Sequence, residues 1–282
     1  MTDIKRALHL GVSQLEPYSE SARLDTEILL SHAINKPRSY LYAHPETPLD
    51  TEQLVLFERY VARRSLGMPI AYITGTREFW SLPLIVNEET LIPRPETERL
   101  VDITLMLLNN NPYARVLDLG TGSGAIALAL AKEQPSWQIL ACDYNPNALT
   151  VAEKNAHNLK LSNIRFLQSD WFDNIPLDQP FDAIVSNPPY IAANDPHLHS
   201  GDVRFEPVLA LVSGPQGLTA AEHIIQESLK HLKPGGFLLM EHGFDQKDSL
   251  LTMLTDRGYV DVTAWKDFQG NDRVCAGRKI II

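Results

Sequence analysis

The chain has 282 residues, enough for one large or two modest domains, and a net charge of −10 from 35 acidic against 25 basic residues. That sign opposes general nucleic-acid binding, which relies on basic surface to displace counterions, and suits a basic partner or plain solubility. No apolar run approaches a transmembrane length and the charged start at Asp3, Lys5 and Arg6 is no signal peptide. Cys142, Cys275 and the close pair His197 and His199 lack metal-site spacing, so the expectation is a cytoplasmic protein with reduced thiols, no metal and no membrane association.

Residues 1–75 read as helices. Thr2 can cap a first short helix ending near Gly11, and Ser19 or Ser21 can open a second carrying Leu24, Ile28, Leu29 and His32 at helical spacing. Asp50 with Gln53 has the form of a capping box ahead of Leu54, Phe57 and Val61, with a break at Gly67. Charges nearly cancel in this segment, so the acidity belongs to the remainder. Residues 76–90, with Phe79-Trp80 and Leu82 to Val86, predict a short linking β-hairpin. Pro95 then starts a helix where its missing N–H costs nothing.

From Arg115 strands alternate with helices, which predicts a parallel doubly wound sheet. Strands are expected near 115–119, 137–142, 163–168, 181–186 and 235–241, with helices near 122–133, 146–158, 215–232 and 244–257. The domains are therefore a helical segment at 1–75, a hairpin at 76–90 and an α/β domain at 91–282.

Two motifs carry the chemistry. Val116 to Leu119 runs into Gly120-Thr121-Gly122-Ser123-Gly124 and then an apolar helix, the strand–loop–helix context of a nucleotide-type cofactor site. No Gly-Lys-Ser/Thr follows, which argues against a P-loop. Asp143 ends the second strand nineteen residues after Gly124, where a carboxylate can accept from both ribose hydroxyls. The other motif, Asn187-Pro188-Pro189-Tyr190, follows the buried strand Phe181 to Val185. Tandem prolines end the strand there, leaving the Asn187 side-chain oxygen and the Pro188 carbonyl as paired acceptors beside an aromatic ring. Such a slot suits a planar –NH2, either a glutamine amide or the exocyclic amine of a base; a plain turn is the alternative.

With these residues in view, the chain resembles the class I S-adenosylmethionine-dependent methyltransferases and, over essentially its whole length, the PrmC/HemK family of protein-glutamine methyltransferases. Further support comes from Ile92-Pro93-Arg94-Pro95-Glu96-Thr97-Glu98, Val203-Arg204-Phe205-Glu206-Pro207 and Asp25-Thr26-Glu27-Ile28-Leu29-Leu30. The resemblance implies a Rossmann-like sheet with a terminal antiparallel hairpin (Val260 to Ala264 with Arg273 to Arg278) and a small helical N-terminal domain. A detachable domain fused to a methyltransferase more often helps choose the substrate, with a mere folding cap as the alternative. The resemblance implies S-adenosyl-L-methionine as cofactor, held by Gly120, Thr121, Gly122, Ser123, Gly124, Asp143, Asp170, Trp171 and Asn187. It also implies methylation of the glutamine of a Gly-Gly-Gln motif in peptide chain release factors, with Asn187, Pro188 and Tyr190 catalytic and Pro189 completing the substrate slot. Thr97 either approaches the methionine end of the cofactor or caps the next helix. Asp202 and Glu206 either border the substrate or order their loop. Two other functions fit the same residues: methylation of adenine in nucleic acid, which the lack of a basic cluster beyond Arg63-Arg64 disfavours, and a non-catalytic cofactor-binding scaffold.

Overall fold

A computed structural model describes residues 2–281. The chain divides into two compact units: residues 1–76 with 197–205, and residues 77–196 with 206–282.

The first unit is built on α1 (Ile4–Leu15), α2 (Ala22–Ala33), α3 (Arg38–Ala43), α4 (Thr51–Ser65) and α5 (Ile70–Thr74). Asp3, not Thr2, caps α1 by accepting from the Arg6 amide, and α1 continues through Gly11 to Leu15. Gly11 is kept because α1 and its neighbours meet there: a Cβ would stand 2.7 Å from the Thr26 methyl and 2.8 Å from Phe57. Packing thus overrides the modest helix penalty of glycine. Asp50 and Gln53 form the expected capping box on α4. α3 and α5 are too short to leave a periodic signal in the sequence.

Segment 197–205 joins this unit through charges rather than a hydrophobic stripe. Arg64 donates through Nε to Asp25 (2.7 Å) and through Nη1 to the Met68 carbonyl (3.1 Å) and Asp202 (3.0 Å). Arg204 donates to the Leu66 carbonyl at 3.1 Å, in space that a side chain at Gly67 would fill. Asp202 therefore orders its loop. Arg64→Ala leaves Asp25 buried with two serine hydroxyls as its remaining donors. Breaking such a pair should lower the unfolding free energy by about 3 kcal/mol, measured by denaturant unfolding.

The second unit opens with a hairpin of β1 (Thr76–Phe79) and β2 (Leu82–Ile85). Its turn places Trp80 and Ser81 at φ 52° and 57°, the left-handed values of a two-residue hairpin turn without the usual glycine. A 3-10 turn at Pro95–Thr97 precedes α6 (Glu98–Leu107), so Pro95 begins a tighter turn and the α-helix starts later than its sequence suggests.

Then follow β3 (Arg115–Leu119), α7 (Ala125–Glu133), β4 (Gln138–Asp143), α8 (Pro146–Asn158), β5 (Ile164–Gln168), β6 (Phe181–Ser186), α9 (Thr219–His231), β7 (Leu232–Glu241), α10 (Lys247–Asp256), β8 (Tyr259–Lys266) and β9 (Asp272–Lys279). The seven-stranded sheet has the order β5-β4-β3-β6-β7-β9-β8, with β9 antiparallel to both neighbours and the first five strands parallel. The class I methyltransferase fold expected from the resemblance is thus present. β3 and β6 are apolar on both faces because a core covers each side of the sheet. The chain runs from β3 outward to β5 and then crosses back to β6, placing the switch in strand order between β3 and β6. Ligands of open α/β sheets collect beyond the strand carboxyl ends at that point. The register Leu119↔Ser186 sets Gly120 and Asn187 at neighbouring strand ends there.

Candidate functional site

A cavity of 320 Å³ opens at this switch point and is lined by Gly120, Gly122, Asp143, Asp170, Trp171, Asn187 and Pro189, among others. Of the residues singled out in the sequence, Thr121, Ser123, Gly124, Pro188 and Tyr190 are not part of this lining. Ser123 and Gly124 shape the loop that borders it. Gly124 starts α7 in the left-handed region, where a Cβ would meet Leu128 at 2.9 Å and Ala152 at 3.2 Å. Buried Asn155 donates to the carbonyls of Ser123 (2.9 Å) and Ile85 (3.0 Å) and accepts from the Ile85 amide (2.7 Å), tying the glycine loop to β2. Gly122, at φ 56°, faces open space.

Asp143 ends β4 with both carboxylate oxygens engaged, accepting from the Gly122 amide (2.8 Å) and the Asn145 amide (2.9 Å). Burial raises its pKa, and the amides of Asn145, Gly122 and Tyr144 oppose the shift. A carboxylate has about four lone-pair positions, so capacity remains for two hydroxyls. Trp171 adopts φ 44° at the corner after β5. Ser169 fixes that corner, donating to the Trp171 carbonyl (2.9 Å) and accepting from the Asn174 amide (3.0 Å). These features fit a nucleoside-type cofactor: open glycine backbone, a carboxylate for a ribose, and an aromatic face.

The Asn187 side chain is oriented by a residue far away in sequence. Its Nδ2 donates to the Thr97 hydroxyl at 3.2 Å. Thr97 makes no side-chain cap on α6; its hydroxyl serves Asn187 instead. Tyr190 is anchored through its backbone: Gln246 donates to its carbonyl at 3.0 Å. Gly217 permits this close approach, since a Cβ there would stand 2.2 Å from that oxygen. Burial raises the pKa of the Tyr190 hydroxyl, so it stays protonated. Glu206 is buried and accepts from Arg94 and from the Ile92 amide (3.1 Å), so it too orders the returning loop.

Two buried acids escape a reading of the sequence. Asp118 accepts from Thr121 at 2.6 Å through one oxygen, and its Oδ1 has no hydrogen-bond partner. Burial, reinforced by the charge of Asp143, pushes it up to about 7 against the opposing bonds from Thr121 and the Ala127 amide. Glu241, at the end of β7, is likewise buried, and burial pushes it up to about 7. An acid at the carboxyl end of a parallel strand was the available signal for both. A raised carboxyl pKa means the folded state holds a proton that the unfolded chain has released. Asp118 therefore makes the cofactor-free protein less stable as pH rises from about 4 through about 7. Asp118→Asn should flatten that slope in thermal melts taken across the same range.

Among the described residues no cluster of three or more His, Cys, Asp and Glu is placed to hold a metal, and no helix is long and apolar enough to cross a membrane.

Comparison with known proteins agrees with this geometry. A family model for the PrmC N-terminal domain matches residues 6–75, and one for a methyltransferase domain matches 110–266. The chain is 50% identical over 276 residues to the release factor glutamine methyltransferase of Shewanella oneidensis, covering 98% of this chain and 96% of that protein. It is 49% identical over 271 residues to that of Escherichia coli, covering 96% and 97%. A methyltransferase structure from Pyrococcus furiosus is similar in fold, with a TM-score of 0.54 at 19% identity over 79% of this chain and 100% of the other. With both its helical and its methyltransferase regions matched, and about half its residues shared with these enzymes from end to end, the chain belongs to the release factor glutamine methyltransferase family.

Proposed function

We propose that the protein transfers a methyl group from S-adenosyl-L-methionine to the side-chain amide nitrogen of the glutamine in the Gly-Gly-Gln motif of peptide chain release factors. The observation that carries this reading is the placement of Asn187 at the strand-switch cavity, with its Nδ2 turned to Thr97 and its oxygen left as an acceptor. When bound, the cofactor supplies an electrophilic sulfonium methyl.

Asp143 is assigned to the ribose hydroxyls. Asp170 would accept from the adenine amine and Trp171 would offer its ring to the base, while the Gly120 and Gly122 backbone leaves room for close approach. Asn187 Oδ1 and the Pro188 carbonyl accept the two N–H groups of the glutamine amide. An amide nitrogen is a poor nucleophile because its lone pair is delocalised. Two acceptors raise the rate only so far as they bind more tightly when positive charge develops on that nitrogen. Tyr190 and Pro189 wall the slot and limit the amide's freedom, and in-line positioning is worth on the order of 7–11 kcal/mol in favourable cases. The nitrogen loses its proton after alkylation, so no strong base is needed.

The helical unit is assigned to docking the release factor and the protein to the cytoplasm, with no role for nucleic acid or membrane. The acidic balance of the chain favours a protein partner over a polyanion. Intact-mass analysis after incubation with release factors and cofactor tests the reading: one methyl should be added, and none when the Gly-Gly-Gln glutamine is replaced by glutamate.

A further inference from the structure

An in-line displacement brings its nucleophile to the methyl from the side opposite the departing sulfur. The residues assigned to the cofactor, Gly120, Gly122, Asp143 and Asp170, stand at or just past the carboxyl ends of β3, β4 and β5, all on one side of Asn187. The chain that carries the glutamine therefore arrives over the other half of the sheet, where β6 is followed by β7, β9 and β8.

That half presents two exposed aromatic rings. The registers Ser186↔Met240 and Glu241↔Val274 set the ends of β6 and β7 beside the start of β9. Phe244 follows β7 by three residues and is 68% exposed, and Phe268, in the turn joining β8 to β9, is 79% exposed. Exposed apolar side chains scattered singly are common on any surface. These two differ because each stands on a braced turn that is bonded to the supports of the amide slot.

Gln246 accepts from the Gly243 amide at 2.9 Å and donates to the Tyr190 carbonyl at 3.0 Å, which fastens the turn carrying Phe244 to Asn187-Pro188-Pro189-Tyr190. Buried Asp267 closes the β8–β9 turn by accepting from the amides of Gln269 and Asn271, both at 2.9 Å. That turn is tied in its own right to the segment around Thr97, which holds Asn187. Gln269 donates to Glu96 at 3.4 Å, and Arg99 donates to the Lys266 carbonyl at 3.2 Å. The Arg99 guanidinium also stands 5.9 Å from the centre of the Phe268 ring, within cation–π range. Rings on such turns lose little freedom on binding, which suits them to anchor a partner.

We propose that Phe244 and Phe268 form a docking edge in the second unit for the release-factor polypeptide that flanks the target glutamine. The inference rests on the proposed function for the identity of the partner, and on strand order and exposure for the place. Aromatic rings can also stack on bases, but the net charge of −10 favours polypeptide over a polyanion.

Calorimetric titration of the protein with an intact release factor, in saturating S-adenosylhomocysteine, reads docking apart from chemistry because that cofactor has no methyl to give. Phe244→Ala and Phe268→Ala should each weaken binding about tenfold, as truncation of an interface anchor does. Phe244→Tyr and Phe268→Tyr keep the ring and should bind within about twofold of wild type. Leu177→Ala removes a comparably exposed apolar side chain ahead of the amino-terminal end of β6 and should change nothing. In turnover the alanine variants should raise the KM for release factor by similar factors, with kcat and cofactor affinity within about twofold and the thermal midpoint unchanged.

Alanine variants that bind release factor as the wild type does would overturn the docking edge, even where the release factor is methylated. Ring-dependent binding with no methyl transferred in the active assay would leave the edge standing and remove the assigned reaction. An equal loss from Leu177→Ala would count against it, since general apolar surface would then explain the effect. Failure of the wild type to bind release factor at all would remove both. Ring-dependent binding of a single-stranded oligonucleotide in place of release factor would give the rings to bases and overturn the proposal.

Discussion

Replacing Asn187 with alanine should reduce turnover by roughly two to three orders of magnitude, the loss seen when one preorganised polar contact to a transition state is removed. The side chain sits where β6 ends, held by Thr97 through Nδ2, so its oxygen arrives already oriented and little reorganisation remains for the reacting complex. Alanine removes one of the paired acceptors and leaves the Pro188 carbonyl alone to orient the amide, whose side chain is then free to turn away from the methyl. Cofactor affinity should fall by less than about threefold, because Asp143 and the glycine loop stay in place. The split is read by calorimetry for the cofactor and by single-turnover methylation for the chemistry. Near-normal turnover at saturating cofactor would make Asn187-Pro188-Pro189-Tyr190 a turn and nothing more.

Asp143→Ala should have the opposite signature. Hydrogen bonds to a charged acceptor contribute about 1.5–3 kcal/mol, so loss of the carboxylate should weaken cofactor binding about tenfold or more. The structure adds a second reason for a large effect. Asp143 also accepts from the amides of Gly122 and Asn145, so alanine frees the tip of the glycine loop and the start of α8 together. Thermal unfolding of the cofactor-free variant separates these contributions: a lowered midpoint measures the loop bonds, and any further loss of affinity measures the ribose contact. Unchanged affinity by calorimetry would refute the assignment of Asp143 to the cofactor.

The parts of this architecture that declare themselves in the sequence are those whose cause is local. A glycine at every second position between an apolar strand and an apolar helix has few uses other than close backbone approach, so Gly120 to Gly124 is readable from residue order alone. Tandem prolines stop a strand wherever they stand, which makes Asn187 readable as a strand-end acceptor. The order of alternating elements follows from periodicity in the same way, while the terminal hairpin follows from the family resemblance.

What is not legible depends on partners distant in the chain. Nothing near Thr97 announces that it receives the Asn187 amide, and nothing near Glu241 announces that it is buried. Gly11 reads as a helix terminus because its neighbours in space, Thr26 and Phe57, are invisible in its neighbours in sequence. Segment 197–205 has no hydrophobic periodicity and is held to the helical unit by Arg64 and Arg204, so its place there cannot be read from pattern. The Trp80-Ser81 turn lacks glycine, and its left-handed backbone is imposed by the pairing of β1 with β2.

Whether the slot beside Asn187 receives a glutamine amide can be read from the product. Fragmentation mass spectrometry of a release factor, after incubation with the protein and S-adenosyl-L-methionine, tests it most directly. A single added methyl is expected, located on the side-chain nitrogen of the Gly-Gly-Gln glutamine and absent when Asn187→Ala replaces the wild-type protein. A methyl found on adenine in added nucleic acid, with the release factor unmodified, would contradict it.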